Sequence, residues 1–247
     1  MVFLGTAGCG KSLLTKSFGE WLAKTTELRV GYVNLDPGCE GLPYEPLFDI
    51  RSMFTITDIM RREGLGPNGA MIRASELMVE RSGEILNAIK SLSCDVNLID
   101  TPGQMEIFVF RRAGPALIEG LKELGYTVSV FLIDPALVAN PSELVVSLML
   151  GVASQLRLAS PTVMVLNKSD LPEGELVAGL LSSRRRLASS IRRQASSFAD
   201  LALGCLSLFN RLRQASRLVR VSAKTGEGLD RLYEIILETR CVCGDLT

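Results

Sequence analysis

The chain has 247 residues, 47% of them apolar, with 27 basic residues against 27 acidic ones and no histidine. That length and apolar content suit one α/β domain with a buried core, and the balanced charge points to neither nucleic acid nor a membrane surface. The missing histidine excludes histidine general bases and histidine metal ligands, so acid–base work falls to carboxylates, amides, backbone groups or a metal ion.

In chain order, short apolar runs predict buried strands at 2–4, 30–34, 96–100, 128–134, 162–167 and 218–222. Helical spacing predicts helices near 11–25, 55–63, 70–91, 105–124, 142–157 and 227–240. Strand alternating with helix implies a doubly wound, mostly parallel α/β sheet, which binds ligands beyond the carboxyl ends of its strands. One segment breaks the alternation. Residues 184–217 carry eight arginines and one acid, Asp200, with Leu187, Ile191, Phe198, Leu201, Cys205, Leu208, Phe209 and Leu212 at helical spacing. This predicts a pair of amphipathic helices inserted before the last strand, either a flap with solvated arginines or a docking surface for a protein client.

The opening Met1-Val-Phe-Leu4 runs straight into a motif at Gly5, which leaves no room for a secretion signal. The uncharged run from Leu144 to Leu156 is too short to span a bilayer, so the expected compartment is the cytoplasm. Six cysteines without a Cys-x-x-Cys pair read as reduced thiols, Cys241 and Cys243 being the one close pair.

Gly5-Thr-Ala-Gly8-Cys9-Gly10-Lys11-Ser12 matches G-x4-G-K-[ST], after a strand and before a helix. Its glycines let backbone N–H groups turn toward phosphate oxygens, and the helix N-terminus adds positive potential. The phosphate-binding candidates are Gly5, Gly8, Cys9, Gly10, Lys11, Ser12 and Leu13, with Lys11 on the β- and γ-phosphates and Ser12 on Mg²⁺. Asp100-Thr-Pro-Gly103 closes a strand, so Asp100 can hold the Mg²⁺ shell and the Gly103 N–H can meet a γ-phosphate. Gln104 follows, placed to orient an attacking water or simply to begin a helix. Asp36, in Asn34-Leu-Asp36-Pro-Gly38, is a metal or water ligand, or a turn residue before Pro-Gly. Asn167-Lys168-Ser-Asp170 ends a later strand. An aspartate there accepts from two guanine donors that adenine lacks, the Lys168 stem can lie along the base, and Ser222-Ala223-Lys224 completes the pocket. Gly66-Pro67-Asn68-Gly69 fits a β-turn, and it also leads into a helix whose free N–H groups can face an anion.

With Leu42-Pro-Tyr-Glu-Pro46 and the C-terminal Cys241-Val-Cys-Gly-Asp-Leu-Thr247, these stretches resemble the GPN-loop GTPases, most closely their archaeal members, over nearly the whole chain. The resemblance implies a single P-loop NTPase domain over 1–247, with the GPN-loop region at 64–70 and the helical insertion at about 175–217. It implies Mg²⁺-dependent hydrolysis of GTP to GDP and phosphate by a homodimeric switch, in which Pro67 and Asn68 reach the partner's active site. Gln104, Asn68 and Asp36 are then the catalytic candidates, and Ser12, Asp36 and Asp100 the metal candidates. The alternative is a nucleotide-gated assembly factor whose arginine-rich insertion grips a client.

Overall fold

The computed structural model describes residues 1–138, 140–194, 198–211 and 218–242. The first half of the chain runs β1 (Val2–Gly5), α1 (Lys11–Thr25), β2 (Val30–Asn34), β3 (Phe48–Asp49), α2 (Ile56–Glu63), α3 (Pro67–Glu80), α4 (Ser82–Lys90) and β4 (Val96–Asp100). The second half runs α5 (Met105–Phe110), α6 (Ala113–Leu124), β5 (Ser129–Ile133), α7 (Pro141–Leu158), β6 (Thr162–Leu166), α8 (Pro172–Leu181), α9 (Arg184–Arg193), α10 (Ala199–Arg211), β7 (Leu218–Arg220) and α11 (Leu229–Val242). The strands form one sheet in the order β3-β2-β4-β1-β5-β6-β7, and every described pairing is parallel.

Strand side chains alternate between two cores. Phe3, Leu98, Val130, Leu132, Val163 and Val165 point to a layer formed with α1 and α11. Val2, Leu4, Ile99, Phe131, Ile133 and Met164 point to the opposite layer, which takes residues from the helices α2 to α10. Burial on both faces explains why the central strands read as continuous apolar runs. Each fully buried side chain of the size of Phe3, Phe18 or Leu14 contributes about 1.5–3 kcal/mol. Among the described residues, no helix is long and apolar enough to cross a membrane.

The six predicted strands are present, and a seventh, β3, adds a two-residue edge beside β2. Two predicted helices are each broken in two. The span 70–91 divides at Arg81, where Ser82 and Gly83 follow and Arg81 pairs with Glu84. The span 105–124 divides at Arg111 and Arg112, which lets the backbone of Gly114 approach the Phe108 carbonyl so closely that a Cβ would lie 2.4 Å from it. The arginine-rich insertion is the predicted helix pair, α9 and α10, but the apolar stripe of α10 is rotated. Leu201 and Leu208 are 66% and 48% exposed, while Leu206 and Phe209 are buried. Leu212, Arg213, Arg217, Cys243 and the side chain of Cys241 lie outside the described residues. The described cysteines Cys9, Cys39, Cys94 and Cys205 are free thiols.

Candidate active site

The motifs that follow β1, β2, β4, β6 and β7 reach the same edge of the sheet because parallel strands present their carboxyl ends together. At the end of β1 the chain turns through Gly5 into a loop that closes on α1, with Gly8 and Gly10 in the left-handed region at φ 78° and 92°. A side chain at Gly10 would place its Cβ 2.6 Å from Nδ2 of Asn167, so the close approach requires glycine there. Lys11 is 6% exposed, and its ammonium donates to the carbonyls of Gly5 at 2.9 Å and Thr6 at 3.0 Å. Cys9 is buried in the loop, and burial pushes its thiol pKa up. Leu13 is 43% exposed on the first turn of α1.

Asn167, from the end of β6, ties two loops together. Its Nδ2 donates to the Cys9 carbonyl at 2.9 Å, and its Oδ1 accepts from the Ala223 N–H at 3.2 Å. Lys168 stands in a left-handed backbone conformation and donates to the Gly8 carbonyl at 2.9 Å and to Asp134 at 2.6 Å. Asp170 is exposed, and Oδ1 of its carboxylate accepts from the Ser222 hydroxyl at 2.6 Å, a bond that lowers its pKa. Thr225 N–H in turn donates to the Ser222 hydroxyl at 3.1 Å. Lys224 is exposed beside them.

At the end of β4, Asp100 is 1% exposed. Its Oδ2 accepts from the Tyr44 hydroxyl at 3.0 Å, and its Oδ1 is buried without a hydrogen-bond partner. Burial raises the Asp100 pKa, opposed by the nearby Ser12 and Tyr44 hydroxyls and by the charge of Lys11. Thr101 donates to the Phe3 carbonyl at 2.6 Å and pins this strand end to β1. Asp36 accepts on both oxygens, from Gly38 N–H at 2.8 Å and from Gly103 N–H at 3.2 Å. The Gly103 donor expected on a γ-phosphate is therefore taken here by an aspartate of the β2 loop.

Gln104 caps α5 and, with Asp36, Gly103, Met71 and Phe108, lines a cavity of about 180 Å³ between the β2 loop, α3 and α5. Glu106 is exposed on the first turn of α5. Asn68 stands apart from this group. The segment is a helix start, not a free-standing turn. Gly64 ends α2 in the left-handed region, Gly66 caps α3, and Pro67 and Asn68 are its first two residues. Asn68 is exposed, its side chain has no hydrogen-bond partner among the described residues, and it is not among the residues lining the cavity, whereas Met71, Ala74 and Met78 of the same helix do line it.

Three site residues had no role in the sequence reading. Asn34 is fully buried and braces the Asp36 loop. Its Nδ2 donates to the Asp36 carbonyl and to Asp49, and its Oδ1 accepts from the Asp36 N–H at 3.0 Å. Tyr44 holds Asp100, and Asp134 holds Lys168. Asp134 directly follows β5, and its position past a strand end was the one signal that marked it.

The family model described as "Conserved hypothetical ATP binding protein" matches residues 3–242. GPN-loop GTPase PAB0955 of Pyrococcus abyssi is 38% identical over 252 residues, covering all of this chain and 99% of that protein. GPN-loop GTPase 1 of Dictyostelium discoideum is 26% identical and covers 96% of this chain, which spans only 60% of that longer protein. The crystal structure of the Pyrococcus abyssi GTPase in its apo form superposes with a TM-score of 0.88 at 37% identity, covering 98% of this chain and 97% of that one. The family model's description names ATP, but the full-length relative is named a GTPase. The chain belongs to the GPN-loop GTPases and is a GTP-binding hydrolase.

Proposed function

We propose that the protein is a Mg²⁺-dependent homodimeric switch in which the Gly66–Asn68 segment of one protomer completes the active site of the other. The observation that carries this reading is the isolation of Asn68. It sits at a helix N-terminus that has no side-chain cap and no acidic residue in the first turn, its side chain exposed and without a described partner, while its own helix lines the Gln104 cavity one turn further on. Such a helix end favours an anion, and Pro67 at its first position needs no hydrogen bond for its missing N–H. A second protomer presenting this end to the γ-phosphate would supply donors that the chain does not direct into its own cavity.

Within one protomer, the loop 5–13 receives the phosphates and Lys11 leaves its two carbonyls for them. Asp170 reads the guanine edge. Asn167, Lys168, Ser222, Ala223 and Lys224 hold or flank it. Ser12 and Asp100, with Asp36 at the margin, would hold the metal. The fit rests on donor chemistry, since the candidates are oxygen donors suited to Mg²⁺ and Oδ1 of Asp100 is buried with no partner. No group of three or more His, Cys, Asp or Glu side chains is placed for a metal among the described residues, so phosphate oxygens and waters would complete the shell. The ion, when bound, neutralises charge on the β- and γ-phosphates. Gly103 would exchange Asp36 for the γ-phosphate, which frees Asp36 to hold the attacking water together with Gln104. That exchange couples nucleotide state to the β2 loop and α5, as a switch requires.

Gln104→Leu tests the chemical half of this reading. Water positioning matters mainly in the transition state, so GTP affinity should change less than about twofold while single-turnover hydrolysis slows by about 10². Hydrolysis at the normal rate would pass the role to Asp36 or Glu106.

A second reading, a nucleotide-gated assembly factor, is favoured by α9. Arg184, Arg185, Arg186, Arg192 and Arg193 are all exposed there, with no acidic residue in the helix. On that reading hydrolysis resets a grip on an acidic client instead of being the output itself.

A further inference from the structure

The loop between β2 and β3 carries Leu42-Pro-Tyr44-Glu-Pro46, which the roles above leave unused. Tyr44 is 9% exposed. Its ring stacks on Tyr32 with centroids 5.0 Å apart and planes at 23°. The loop is fastened behind it by the Leu47 N–H donating to the Tyr32 carbonyl at 2.8 Å. Pro43 precedes the tyrosine and Pro46 follows one residue beyond it, each with its own φ fixed, which stiffens the loop on both sides. A buried hydroxyl needs a partner, and the one it has is Oδ2 of Asp100 at 3.0 Å. The other oxygen of that carboxylate is the buried one with no partner.

We infer that Tyr44 is a positioning residue for the metal site, clamping one oxygen of Asp100 so that the other faces the ion bound with the nucleotide. An aspartate's terminal torsion is broad, and without a clamp a rotation about it swings the free oxygen away from the metal. The phenol fixes that rotation from outside the ion's own shell, as hydrogen-bonded neighbours of metal ligands do elsewhere. The stacked Tyr32 fixes the phenol in turn. Phenylalanine at position 44 keeps the packing and the stack but removes the clamp. The inference rests on Asp100 serving the metal, as proposed above.

The test is a binding titration on the full chain, with a fluorescent, non-hydrolysable GTP analogue, first in EDTA and then across a range of Mg²⁺ concentrations. Tyr44→Phe should bind the analogue in EDTA within about twofold of the unmutated protein, while the Mg²⁺ concentration giving half of the metal-dependent tightening rises about tenfold. Because Tyr44 acts through Asp100, adding Tyr44→Phe to Asp100→Asn should raise the Mg²⁺ requirement no further than Asp100→Asn alone. A Mg²⁺ titration of Tyr44→Phe that overlays the unmutated one would overturn the inference. So would an equal loss of affinity in EDTA, or an effect of Tyr44→Phe that persists in full beside Asp100→Asn, since each marks mere packing. An Asp100→Asn protein with unchanged Mg²⁺ dependence would overturn the reading of Asp100 itself, a result distinct from the other three.

Discussion

Lys11→Ala should weaken GTP binding by a factor of roughly a hundred to several thousand. The lysine is buried in the loop with its ammonium on two backbone carbonyls, at 2.9 and 3.0 Å, so it is already positioned among the groups proposed to receive the phosphates. Moving onto phosphate oxygens exchanges two neutral acceptors for charged ones. Hydrogen bonds to charged groups contribute about 1.5–3 kcal/mol each, and about 1.4 kcal/mol is tenfold in affinity. No other side chain of the loop 5–12 is basic, so the multiply charged ligand loses its main counter-charge there. Calorimetric titration with GTP measures the effect, with the thermal unfolding midpoint as the control that the variant is folded. Affinity within threefold of the unmutated protein would remove Lys11 from the phosphate site.

Asp170→Asn should exchange one base for another. The carboxylate accepts from Ser222 on Oδ1, and the Thr225 N–H holds that hydroxyl in place. An asparagine can keep its Oδ1 on Ser222, so the pocket survives the substitution. Its amide NH₂ then stands where Asp170 offered a second acceptor. Guanine brings N–H donors to that point and is repelled, whereas xanthine carries an oxygen at C2 and is accepted. Two hydrogen bonds to a charged group lost at about 1.5–3 kcal/mol each amount to roughly 10²–10⁴ in GTP affinity, with XTP gaining a comparable preference. In the unmutated protein the Ser222 bond lowers the Asp170 pKa. A lowered pKa keeps the carboxylate ionised to lower pH, so guanine preference should hold down to about pH 5, above the usual aspartate range. Competition titrations of GTP, XTP and ATP against the two proteins measure both. Equal affinity of the unmutated protein for ATP and GTP would contradict this role for Asp170.

What the sequence made legible, and what it did not, divides along a physical line. Six strands were readable because burial on both faces leaves continuous apolar runs. The strand β3 was not, because two residues carry no alternation to recognise. The breaks at Arg81 and Arg111 were hidden because apolar spacing continues across each of them. In α10, leucines and alanines occur all around the helix, so spacing alone could not tell that Leu206 and Phe209 pack while Leu201 and Leu208 face outward. In the site, the phosphate loop and the Asn167–Asp170 stretch were readable because their chemistry needs fixed residue types at fixed spacing. The tie from Asp36 to Gly103, the brace from Asn34, the clamp from Tyr44 and the ion pair of Asp134 with Lys168 join residues distant in the chain. Such single polar contacts leave no periodic trace, and only the packed loops bring them together.

The central claim, that Asn68 serves the partner's site, is tested most directly by mixing protomers. Asn68→Ala alone should bind GTP nearly normally and hydrolyse it slowly, and Lys11→Ala alone should bind it poorly. A dimer of one Asn68→Ala protomer and one Lys11→Ala protomer, purified through two different tags, has one site able to bind GTP, and that site faces the intact Asn68 of its partner. Its single-turnover hydrolysis should recover to about half that of the unmutated dimer, one working site of two. A mixed dimer as inactive as both parents would contradict the account and leave Asn68 acting within its own chain or serving only to shape the helix start.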